Sequence, residues 1–155
     1  MKTLRLVLAV AAFFVATATA LPTGAGRLGV GLMAGEPSGL SAKAWLGPSS
    51  ALDAGLGWGS WWDEGHLYFH ADFLYHLKSL VPDSEFGSLP PYFGIGGRVK
   101  LADETRIGAR IPFGVTMLFE DVPIDLFLEA VPVVNLIPRL SGDWNSSIGF
   151  RYYFS

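Results

Sequence analysis

A chain of 155 residues is long enough for one domain. It has no cysteine, which removes disulfide frameworks and thiolate metal sites, and its 11 Lys/Arg against 14 Asp/Glu leave no basic footprint for nucleic acid. Only 16% of the residues are charged, against about 25% in soluble domains, while glycine (19) and aromatic residues (14%) are plentiful.

Residues 1–20 read as a signal peptide. Lys2 and Arg5 form a positive start, Leu6 to Val15 is an apolar run too short to span a bilayer, and Ala18-Thr19-Ala20 is an A-x-A cleavage site. The mature chain is then a single domain, residues 21–155. No stretch of it makes a helix of membrane-spanning length. An exported chain this apolar has one remaining way to cross lipid, a closed β-barrel.

Eight strands are predicted in chain order: Arg27–Gly35, Leu40–Leu46, Ala51–Gly59, His66–His76, Tyr92–Leu101, Thr105–Phe119, Ile124–Ile137 and Trp144–Phe154. Turn residues separate them, among them Glu36-Pro37-Ser38-Gly39, Asp63-Glu64-Gly65 and Ser141-Gly142-Asp143. Most have the roughly 9–11 residues that a tilted spanning strand needs. The connection Leu77–Pro91 is longer and is expected to fold against the barrel end. Pro112 and Pro132 interrupt two strands, and a bulge at each is the expected remedy.

The alternation of period two assigns the faces. One face of Ile124–Ile137 holds Ile124, Leu126, Leu128, Ala130, Pro132, Val134 and Leu136, and the other Asp125, Phe127, Glu129, Val131, Val133 and Asn135. The same register through all eight strands puts no charge on one face. It gathers Arg27, Lys43, Asp53, His66, His70, Asp72, His76, Arg98, Lys100, Arg106, Arg110, Asp125, Glu129 and Arg151 on the other, along with most strand glycines. An apolar outside and a charged inside is the pattern of an all-β, eight-stranded antiparallel up-and-down transmembrane β-barrel. A soluble barrel of the lipocalin kind would reverse the faces and set glycine-rich strands against water.

A narrow lumen forces its charges to pair. The expected network comprises Arg98, Lys100, Arg106, Arg110, Asp125, Glu129, Arg151, Asp72 and His70, with the basic groups lying over glycines of the earlier strands. Asp103, Asp143, Glu36 and the remaining acids fall in turns. No metal site is expected: His66 and His70 stand about 13 Å apart along a strand, and His70 and Asp72 about 7 Å. Asp125 and Glu129 are likewise too far apart for paired-carboxylate catalysis, so no catalytic residue and no cofactor is expected. Trp45, Trp58, Trp61, Trp62 and Trp144 sit near strand ends and are expected to form an aromatic girdle.

The last strand ends Phe150-Arg151-Tyr152-Tyr153-Phe154. With the leader and the eight alternating strands, this ending resembles the small outer-membrane barrels of the OmpA/OmpX type, whose aromatic C-terminal strand is read by the barrel-assembly machinery. The stretch Pro123–Pro132 also resembles a segment of small barrels. The resemblance implies residence in the bacterial outer membrane as a monomer and a non-enzymatic role in envelope structure or surface interaction. The alternatives are a narrow channel for small solutes or, further off, a lipid-modifying enzyme.

Overall fold

The computed structural model describes residues 28–59, 64–77, 87–119 and 121–154. Residues 1–20, expected to form a signal peptide, and Arg27, Trp61 and Trp62 lie outside these. Within them the chain forms ten strands and no helix: β1 Leu28–Gly35, β2 Gly39–Trp45, β3 Ser50–Gly59, β4 Glu64–His76, β5 Gly87–Ser88, β6 Pro91–Leu101, β7 Arg106–Arg110, β8 Phe113–Phe119, β9 Ile124–Ile137 and β10 Ser141–Phe154.

All pairings are antiparallel, and β10 returns to pair with β1, from Leu28↔Phe154 to Gly35↔Ser147, so the sheet closes on itself. Strands β7 and β8 lie end to end along one stave. Both pair with β6 on one side and β9 on the other. The architecture is therefore an eight-stave up-and-down barrel, with the two-residue β5 added beside Leu118 and Phe119. That addition is the described end of the long connection, which Leu77 N–H and Thr116 N–H fasten by donating to Pro91 and Pro90 carbonyls (2.8 and 3.2 Å).

The prolines are accommodated differently from the expectation. Arg110 faces Val133 and Phe113 faces Ala130, so three residues advance on each strand across Pro112 and no residue is extra. Pro112 lacks an N–H and simply interrupts the ladder, while its carbonyl accepts from Gly94 N–H (3.0 Å). Pro132 stays in register opposite Trp144, and its carbonyl accepts from Ile111 N–H (3.1 Å). The register shifts fall elsewhere, between Gly57 and Gly59 and between Ile107 and Gly108. Two turn assignments also move: Glu64-Gly65 and Ser141-Gly142-Asp143 belong to β4 and β10.

The faces are as the alternation implies. Ile95, Leu128 and Ile148 are 64%, 56% and 57% exposed, whereas Arg110 and Arg151 are 1% exposed and Asp125 is fully buried. This polarity excludes the lipocalin-like arrangement, in which Leu126 and Phe150 would be interior; both are exposed. Trp58 and Trp144 project outward at strand ends. Trp45 does not join them. It follows Lys43 on the inner face, with its ring centroid 4.4 Å from that of His76.

Replacing an outer residue by a cation tests this polarity. Leu126→Arg, refolded into lipid vesicles, is expected to lose about 2–4 kcal/mol in urea unfolding. An unchanged midpoint would mean that this face meets water.

Candidate functional site in the barrel lumen

Inward positions of neighbouring strands converge on a lumen too narrow for bulk water. Three levels of polar contacts cross it, separated by rings and aliphatic groups.

At the end nearest Leu28 and Phe154, Asp125 of β9 is the shared acceptor. Its Oδ2 receives the Tyr153 hydroxyl (2.6 Å) and Arg151 Nη1 (3.1 Å), and Lys43 Nζ stands 4.0 Å away. Arg151 also donates from Nε to Ser41 Oγ (2.9 Å), and its Nη2 lies 3.8 Å from Asp53. The guanidinium lies 4.0 Å from the Phe127 ring centroid, a cation–π contact. Lys43 donates to His76 Nε2 (2.7 Å) over the Trp45 ring. An ammonium can only donate, so Nε2 accepts and the His76 proton sits on Nδ1, 3.2 Å from the Ser49 carbonyl.

The middle level centres on Arg110. Its Nη2 donates to Glu129 Oε1 (2.9 Å), its Nη1 donates to the Tyr68 hydroxyl (3.0 Å), and its Nε forms a 2.9 Å ion pair with Asp72. Tyr92 donates to the other Glu129 oxygen (2.7 Å) and the Tyr68 hydroxyl donates to Asn145 Oδ1 (2.8 Å). His70 Nδ1 reaches Asp72 Oδ2 at 3.2 Å. A separation of about 7 Å between their backbones is therefore bridged by side chains that lean together.

At the far end Arg98 donates to Asn145 (3.1 Å), Asn135 (2.6 Å) and Asp143. Asn135 Nδ2 donates in turn to Asp143 (2.8 Å). Arg106 stands at the half-exposed rim, 3.7 Å from Asp143, and Lys100 lies 3.9 Å from Glu36.

The lumen thus unites Arg110, Arg151, Asp125, Glu129, Asp72 and His70 tightly. It brings in Arg98 through amides and Asp143, and leaves Arg106 and Lys100 as rim contacts. Asp143 is the acid that turn chemistry misplaced. Continuing the period of two from Ser147 through Asn145 would have set it inward. The inward tyrosines, Asn135 and Asn145 were equally open to that reasoning, but uncharged groups drew no attention.

The glycines also differ from the expectation. At three of them an aromatic ring, not a basic group, fills the space, and at Gly96 the Asp72 carboxylate does. A Cβ added to Gly29 would meet the Tyr153 ring at 2.8 Å, one on Gly114 the Tyr92 ring at 2.6 Å, and one on Gly149 the Phe127 ring at 2.6 Å. Each of these three glycines seats a ring that holds a carboxylate or a guanidinium in place.

No protein-family model matches the chain, and no curated protein matches it. Among solved structures it is similar to the N-terminal β-barrel domain of Pseudomonas aeruginosa OprF, with a TM-score of 0.61 over 85% of this chain and 100% of that one, at 16% identity. The likeness is one of fold: a small antiparallel β-barrel closed on itself.

Two predictions follow from the packing. Arg110→Met strands Asp72 and Glu129 and is expected to cost about 3–5 kcal/mol in urea unfolding, with part recovered in Arg110→Met/Glu129→Gln. Gly114→Ala is expected to cost about 1–3 kcal/mol, because the added methyl meets the Leu128 carbonyl (2.5 Å) and the Tyr92 ring (2.6 Å). Gly142→Ala, with nothing within 4 Å of the new methyl, is the control expected to leave the midpoint unchanged.

Proposed function

We propose that this chain is a non-enzymatic outer-membrane barrel whose lumen is plugged by its own ion pairs and whose role is structural, in the envelope or at its surface. The observation that carries this reading is the inverted polarity: guanidinium groups 1% exposed inside a closed sheet whose outer surface is isoleucine, leucine and phenylalanine. Water on that outer surface would solvate a continuous apolar belt at great cost, and hydrocarbon costs nothing there. The OprF barrel domain, a protein of the same fold, supports the location.

In this reading Leu28 and Phe154, which pair with each other, face the periplasm. The aromatic last strand is the segment offered to the barrel-assembly machinery, and closure of β1 on β10 within one chain makes the monomer a complete unit. Trp58 and Trp144 anchor the opposite rim at the lipid boundary. Side chains span the lumen from β10 to β2 and β3, from β7 to β4, and from β6 to β10. A conducting path needs several of these to part together.

A narrow conduit is the second reading. A mouth cavity of about 170 Å³, lined by Glu104, Arg106, Asn135, Arg139, Ser141 and Asp143, favours it.

Planar-bilayer recording on the refolded protein separates the two. The plugged barrel is expected to show no discrete openings in wild type. Regular openings that change with Arg110→Ala would establish the conduit instead. Membrane fractionation with heat-modifiable gel migration tests the location: the folded form should migrate apart from the boiled one and sediment with outer membranes.

A further inference from the structure

We propose that Asp53, His70 and Asp72 form a site inside the lumen for one divalent transition-metal ion of the Zn²⁺ type. The inference rests on the lumen register alone and is independent of where the barrel resides.

The three groups come from adjacent strands. Asp53 on β3 is directly opposite Asp72 on β4, and His70 precedes Asp72 by two residues on the same face. One ligand-capable atom of each lies within 4.8 Å of the others. Small carboxylate rotations bring such atoms to one ion at bond lengths of about 2.0–2.2 Å. All three residues are at least nine-tenths buried.

Two further observations point to a ligand. Asp53 Oδ1, His70 Nδ1 and Asp72 Oδ2 are buried atoms without a hydrogen-bond partner, and His70 Nδ1 faces Asp72 Oδ2 at 3.2 Å. Their neighbours occupy the other sides: Arg151 lies by Asp53 Oδ2 at 3.8 Å and Arg110 by Asp72 Oδ1 at 2.9 Å. The opposite edges of both carboxylates therefore remain for an ion. Glycine also keeps the space clear. A Cβ at Gly55 would collide with His70 Nε2, and one at Gly96 with Asp72 Oδ1.

The charge balance asks for a cation. The carboxylates of Asp53, Asp72, Asp125 and Glu129 surround the cluster together with Lys43, Arg110 and Arg151. Arg110 is shared with Glu129 and Arg151 with Asp125, so unless His70 is protonated the set is one positive charge short. A divalent ion held by three protein ligands, with a hydroxide at its open fourth position, supplies that one charge. One imidazole and two carboxylates suit such an ion better than they suit calcium or magnesium, which prefer all-oxygen sites.

The test uses residues 21–155 refolded in detergent with Zn²⁺ present, since the site closes on folding, then dialysed against buffer. Metal content is read by atomic emission and coordination by the visible spectrum of the Co²⁺ form. One ion per chain and a tetrahedral Co²⁺ band are expected. Asp53→Asn and His70→Gln are each expected to weaken binding at least about tenfold, and the exposed Asp103→Asn to leave it unchanged. Asp53→Asn relieves the carboxylate pair, so its metal-free form is expected to refold, with gel mobility confirming it. Metal that dialyses away from wild type, or binding that survives both variants, overturns the proposal. So does a chain that takes up no Zn²⁺ while Asp53→Asn alone raises its stability, because a proton then holds the missing charge.

Discussion

A cation enclosed where water cannot follow must find its counter-charge on another strand, and this requirement organises the barrel. Arg151 is the clearest case. It starts on the last strand and reaches Ser41 on β2, approaches Asp53 on β3 and bonds Asp125 on β9. Its contacts tie together staves on both sides of the seam where β10 meets β1. Arg110 does the same between β7, β4 and β9. Removing one partner from such a set leaves an unpaired buried charge, so each member constrains the others. The register of every strand is fixed by this, because a slip of one residue would send the charges outward and the aliphatic groups inward.

Packing serves the same arrangement. Eight strands leave an interior only wide enough for side chains, so each bulky group needs a position opposite with no side chain. Glycine supplies it for the rings of Tyr153, Tyr92 and Phe127. Two of those rings carry hydroxyls that complete the coordination of Asp125 and Glu129, and the third lies against Arg151. The glycines thereby act on the electrostatics indirectly: they place the donors that the carboxylates need.

Much of this was legible in the residues. Alternation along Ile124–Ile137 and the stretch ending in Phe154 identified the staves and their faces, because one uninterrupted apolar face and one charged face have few physical explanations. Asp125 and Glu129 were legible as partners of Arg110 and Arg151, but that Arg110 takes Glu129 and Arg151 takes Asp125 was not. Which inward charge meets which depends on inter-strand register, and register is a property of the closed sheet. Asp143 was hidden for a local reason: Ser141-Gly142-Asp143 has turn chemistry, yet β10 runs through it. Pro112 and Pro132 misled in the opposite sense, since the ladder absorbs a missing N–H without an added residue. The closeness of Asp53, His70 and Asp72 required the pairing of β3 with β4, which no spacing along one strand reveals.

The most direct test of the account uses the absence of cysteine in the chain. Single cysteines placed in turn at Leu126, Phe127, Leu128, Val133 and Val134, labelled with a nitroxide and reconstituted in vesicles, report oxygen against water-soluble nickel accessibility. Labels at Leu126, Leu128 and Val134 should collide with oxygen and be shielded from nickel, while those at Phe127 and Val133 should be immobile and shielded from both. Nickel accessibility at Leu126, Leu128 and Val134 would contradict the account, because the apolar surface would then be facing water.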